Sequence, residues 1–224
     1  MTWTFGPVLL GIVVLIGMMA RQFHGGRLKK FRQVKFSKGI TGAEFARRIL
    51  KAKGIEDVEI VESRALIIDH YEPGAKEVRL SADNYNGKDL AAAGMAAHVA
   101  GHAIQHAVGH KPVHWRTSAI KFAALGEVVV ALASAGLIFN PKVAMMALGL
   151  GLALVRFYSV MTLPIEFDAS GRAKDVIYNA RLVSAGKEFD QLEEMLHAAN
   201  LDKLSGFTRF WSWIFSWIFP WRKK

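Results

Sequence analysis

Residues 96–110 read AAHVAGHAIQHAVGH, and both the fold and the chemistry of the chain turn on this stretch. Positions four apart on an α-helix advance by about 400°, so their side chains stack on one face with a drift of about 40°. His98 and His102 can therefore present two imidazoles to one point, as a tetrahedral metal ion requires. In the HExxH pattern of zinc peptidases a glutamate follows the first histidine. It takes a proton from the attacking water and hands it to the leaving amine. Here that position holds Val99. Histidines recur at His106, His110 and His114, but Gly109 and Pro112 should end the helix, so these three are read as a polar, partly exposed helix end. An HxxxH arises readily by chance, and a metal site needs a third ligand from elsewhere in the chain.

The histidine helix is expected to begin near Lys88 and to run to about Val108. Upstream the chain has the pattern of a small α+β unit. Thr41 followed by Glu44 is a capping box, and Ala43, Phe45, Ala46, Ile49 and Leu50 supply an apolar face. Gly54 should stop that helix. DVEIVE (57–62), ALIIDHY (65–71) and KEVRLS (76–81) predict three short strands, the last two joined at Glu72-Pro73-Gly74. His70, at a strand end, is taken as structural, and His24 and His197 as surface residues. With no internal repeat and no low-complexity linker, residues 1–224 are expected to form a single domain.

Of the 224 residues, 52% are hydrophobic, which is high for a soluble domain. The absence of cysteine excludes disulfides and thiolate metal sites. A net charge of +10 suggests nucleic acid or an anionic membrane surface. No nucleic-acid module is present, and the hydrophobic runs favour a lipid bilayer. Residues 3–20, 122–139 and 143–163 are expected to span it, the second run interrupted by Glu127 and the third carrying Arg156. Five Lys/Arg in 21–32, RQFHGGRLKKFR, predict that the first helix runs inward, leaving 21–117 in the cytoplasm. The third span then returns Glu166 to the same side as His98. Residues 207–221, within FTRFWSWIFSWIFPWRKK, are expected to form an interfacial aromatic helix.

The blocks GITGAEFARRIL, DHYEPGAKEVRLSADNYNGKDLAAAGMAAHVAGHAIQHA and TLPIEFDASGRA closely resemble the bacterial membrane-bound neutral zinc metallopeptidase family (YugP-like). They fall in the same order with similar spacing over about residues 2–180. The resemblance implies a mainly α membrane protein of the inner (cytoplasmic) membrane, multi-pass, with a small zincin-like α+β segment and a cytoplasmic site. It implies Zn2+ held by His98, His102 and Glu166, the last from the EFDAS block of a helical segment over 164–200. Asp168 is the rival third ligand, and Ser170 stands where related enzymes carry an aspartate that supports a ligand histidine.

The family pattern has glutamate where this chain has Val99, and valine can neither take nor carry a proton. General acid–base catalysis contributes typically about 10²–10⁴-fold, so ordinary turnover is not expected. The favoured reading is a pseudopeptidase that keeps the metal- and peptide-binding frame and binds a peptide or membrane-protein partner, in a possible larger membrane complex. The alternatives are an active peptidase with a substitute base, such as Glu127 or Asp168, a trapped inactive variant, and a structural subunit with an empty site.

Overall fold

The structure, a computed structural model, describes residues 29–63, 69–110, 125–126, 128–133, 135–136, 139–184 and 186–203. In chain order these form helix α1 (Gly42–Ala52), strands β1 (Glu59–Ser63), β2 (His70–Glu72) and β3 (Glu77–Ser81), and helices α2 (Ala82–Asn86), α3 (Leu90–Ala107), α4 (Pro141–Asn179) and α5 (Lys187–Lys203). The architecture is mainly α with one small mixed sheet.

Local chemistry sets the element ends. Thr41 caps α1, its hydroxyl accepting from the Glu44 amide at 3.2 Å. At the other end Gly54 adopts φ +69°, and the Gly54 and Ile55 amides donate back to the carbonyls of Lys51 and Leu50. Helix α3 is capped by Asp89, which accepts from the Ala92 amide at 2.9 Å, and it ends in the same way at Gly109, φ +68°. β3 is the central strand, pairing antiparallel with β2 and parallel with β1 in the order β1-β3-β2. The β2–β3 turn follows the predicted Pro73-Gly74, but β2 is only three residues long. Positions 64–68 of the predicted strand lie outside the described residues.

By internal packing the chain divides into two compact units, residues 26–113 with 163–201, and residues 1–25 with 114–162 and 202–224. The first contains the sheet, the histidine helix and one continuous core. Phe45, Ile49 and Leu50 of α1, Val78 and Leu80 of β3, Ile177 of α4 and Met195 of α5 all belong to it. Every residue of α3 from Leu90 to Gln105 is buried. Its run of alanine and glycine makes this feasible, since small side chains let neighbouring backbones approach on all sides. In the second unit Gly151 of α4 lies against Gly126 and Val130, leaving no room for a side chain beside Val130. Asn140 and Pro141 provide the ordinary start of a helix there, with the Asn140 side chain accepting from the Val143 amide.

The expectation of three membrane-spanning helices is corrected here. Among the described residues no helix is long and apolar enough to cross a membrane. The stretch 143–163 is not a self-contained span. It is the front of a 39-residue helix that continues through Pro164 into the charged sequence containing Glu166, Asp168 and Arg172. Proline removes one backbone donor and crowds the preceding turn, yet α4 passes through it. Residues 3–20, 207–221 and Glu127 lie outside the described residues, as does part of 122–139, whose described positions are helical.

Candidate metal centre

Helix α3 carries His98 and His102 one turn apart, and the second half of α4 carries Glu166, Ala169, Ser170, Ala173, Val176 and Ile177 at helical spacing on its buried face. The two helices meet at Gly101. A Cβ there would stand 2.1 Å from the Ala169 carbonyl oxygen, so only glycine permits this approach. Because Gly101 precedes His102 and Ala169 precedes Ser170, the contact sets the spacing of the polar groups on either side.

Those groups converge. Glu166 Oε2 lies 3.1 Å from His98 Nε2 and 3.2 Å from His102 Nε2. All three side chains are buried, the histidines at 0% and 1% exposure and the carboxylate at 3%. One ligand atom from each lies within 4.8 Å of the others, and this is the one group among the described residues that could hold a metal ion. A tetrahedral zinc with bonds of about 2.0–2.1 Å places its ligand atoms about 3.3 Å apart, close to both His–Glu separations.

The far side of each ring is also engaged. His98 Nδ1 lies 2.9 Å from Ser170 Oγ, which donates to Asn200 Oδ1 at 2.8 Å. Having given its proton to Asn200, the hydroxyl can only accept from His98. His102 Nδ1 lies 2.9 Å from Gln105 Oε1, also an acceptor. An acceptor thus faces Nδ1 of each ring, while both Nε2 atoms face the Glu166 carboxylate. With Nδ1 holding the proton, two imidazole lone pairs and a carboxylate would form a donor set suited to a cation.

Asp168 is turned elsewhere. Its Oδ2 accepts from Gln105 Nε2 and Arg172 Nε, both at 2.6 Å, and lies 3.8 Å from His110 Nδ1. Burial raises its pKa. The Arg172 and Gln105 hydrogen bonds and the charges of Arg172 and His110 outweigh that effect, holding the carboxyl below the ordinary aspartate range.

Val99 is fully buried and belongs to the apolar core. His106 packs against β2, its Nδ1 2.8 Å from the Tyr71 hydroxyl. His70 sits on β2 itself, and His197 is an exposed residue of α5 whose ring lies against Phe167. His24 and His114 lie outside the described residues. The two groups that sequence reasoning missed are Gln105 and Asn200. For Gln105 the available signal was its place three residues after His102, one turn further along the same helix. For Asn200 no local signal exists.

Comparison with known proteins agrees with this geometry. The chain is 34% identical over 174 residues to the "Putative membrane protease YugP" of Bacillus subtilis (strain 168), covering 77% of each chain. No solved structure matches it. A family model described as "Putative neutral zinc metallopeptidase" matches residues 7–215, and the chain belongs to that family.

Proposed function

We propose that this chain is a zinc-loaded pseudopeptidase, in which His98 Nε2, His102 Nε2 and the Glu166 carboxylate hold the metal while no proton carrier follows His98. The observation that carries the reading is Val99, an apolar residue at 0% exposure beside a converged His-His-Glu donor set. Zinc, when bound, would supply Lewis acidity at this point. Ser170 and Gln105, placed at Nδ1 of the two rings, keep both imidazoles aimed at Glu166. Peptide hydrolysis also needs a group that moves a proton from water to the leaving amine, and valine has none. Asp168 does not fill that role, since Gln105 and Arg172 already occupy its Oδ2. On this reading the frame binds a peptide or a membrane-protein segment without cutting it. The name of the Bacillus subtilis relative supports a setting at a membrane.

The test is an assay pair on purified protein. Wild type should carry about one zinc per chain and show no chelator-sensitive peptidase activity. Val99→Glu should gain such activity by about 10²–10⁴-fold. Equal chelator-sensitive cleavage by both proteins would refute the pseudopeptidase reading and favour an active enzyme with a substitute base. Zinc below about 0.2 per chain would refute the metal site itself.

A further inference from the structure

We infer that the exposed stripe of helix α1, with the cleft it forms beside α2, docks onto a bilayer surface of anionic phospholipid headgroups. The basic excess of the chain is not spread evenly. With His neutral, residues 29–53 hold nine Lys/Arg and one acidic residue, Glu44, a net charge of +8, whereas residues 54–110 carry −5. Within the basic stretch α1 has two faces. Phe45, Ala46, Ile49 and Leu50 are buried in the core, and Glu44, Arg47, Arg48 and Lys51 recur at helical spacing on the opposite side. Arg48 is already engaged, donating to Glu44 Oε1 at 2.6 Å. Arg47 and Lys51, one turn apart, are exposed and have no anionic partner among the described residues.

The stripe has a shaped neighbour. At the head of α1, Gly42 approaches α2 so closely that no Cβ would fit against the Asn84 carbonyl. That approach brings Tyr85 beside the stripe, and Thr41, Glu44, Arg47, Arg48, Lys51 and Tyr85 line an open cleft of about 460 Å³. Arginine pairs with phosphate through its planar fork, lysine as a point charge, and tyrosine suits the headgroup region, where its ring and its hydroxyl are both accommodated. A sheet of phosphates can neutralise the whole stripe at once, whereas one small ion in so open a cleft stays screened by water. The basic stretch also follows closely on the apolar run 3–20. The choice of lipid rests on the membrane setting proposed above, and no residue of this face belongs to the metal centre.

The experiment uses the full chain, which contains no cysteine, so one introduced thiol carries the only fluorophore. The vesicles carry a headgroup-linked quencher. Ala52→Cys places the label at the exposed end of α1, and Glu59→Cys places it on β1 in the acidic stretch. In vesicles of phosphatidylcholine with phosphatidylglycerol the Ala52 label should be quenched and the Glu59 label should not. In phosphatidylcholine alone neither should be. Adding Arg47→Gln and Lys51→Gln should lower the ratio of docked to free chain about 25-fold, about fivefold per charge. Raising salt from ~0.15 M to ~1 M shortens the screening length from about 8 Å to about 3 Å and should release the label. Quenching that persists in the double variant, or is equal in neutral and anionic vesicles, would overturn the inference. So would release by inorganic phosphate at an ionic strength where chloride has no effect, which would assign the cleft to a free phosphate. Co-flotation measured in parallel separates this face from the membrane setting. A chain that floats with anionic vesicles while its Ala52 label stays unquenched keeps the setting and loses the docking face, and a chain that floats with neither vesicle loses both.

Discussion

Gly101→Ala should damage both stability and metal binding. The new Cβ would lie 2.1, 2.7 and 3.2 Å from the carbonyl oxygen, carbonyl carbon and Cα of Ala169. All three are backbone atoms of α4, so no rotamer change relieves the clash. Bringing the closest contact to an ordinary distance requires α3 and α4 to part by about 1 Å, in an interior packed as densely as a crystal. Overpacking of this kind costs about 3 kcal/mol. The gain from replacing a mid-helix glycine with alanine offsets about 1 kcal/mol, leaving a net loss of about 2 kcal/mol. Metal sites tolerate distance changes of about 0.2 Å, so a 1 Å separation between His102 and Glu166 should abolish tight zinc binding. Gly94→Ala is the matched control. Its Cβ would meet Met195 Cγ at 2.8 Å, on a flexible thioether that can move aside. Urea unfolding and zinc competition on both variants provide the measurement. A Gly101→Ala protein as stable and as tightly metallated as wild type would refute the close-approach reasoning, as would equal damage from Gly94→Ala.

The remaining expectations concern the framework around the site. Tyr71→Phe removes the hydrogen bond to His106 Nδ1 and should cost about 1 kcal/mol near neutral pH. The Tyr71 phenol is pushed up to about 12 by burial and by the charges of Asp57 and Glu72. The unfolded phenol, near ~10, loses its proton first. Wild-type stability is therefore fully present below ~10 and falls as pH rises through about 12, and Tyr71→Phe should flatten that alkaline limb in unfolding midpoints taken from pH ~9 upward. Thr41→Ala removes the cap of α1 and should lower stability by about 1 kcal/mol in urea unfolding, leaving zinc affinity unchanged.

What the sequence reveals and what it conceals divide along the range of the interaction. The start of α1 at Thr41, its stop at Gly54 and the extent of the histidine helix are set by hydrogen bonds within a few residues, and they are legible in the sequence. Three strands are legible too, but not their order. That β1 lies parallel to β3 depends on how the chain crosses between them. The close approach at Gly101 is hinted at by the glycine, but only the fold identifies Ala169 as the neighbour. The span expected over 143–163 failed as a unit because hydropathy does not register that α4 continues past Pro164. The place of Gln105 beside His102 was concealed because its amide is held by Ile165 and Asp168, some 60 residues away.

Ser170 touches His98, 72 residues before it, and Asn200, 30 residues after it. During synthesis at about 5–20 residues per second, on the order of 10 s separates the appearance of His98 from that of Asn200. For about the first two-thirds of that interval the nascent chain lacks the Glu166 carboxylate, and until its end it lacks the Asn200 amide that steers the Ser170 hydroxyl. A chain ending before Asn200 keeps His98, His102 and Glu166 but loses the partner of the Ser170 hydroxyl, and it should hold an ion at this site less tightly.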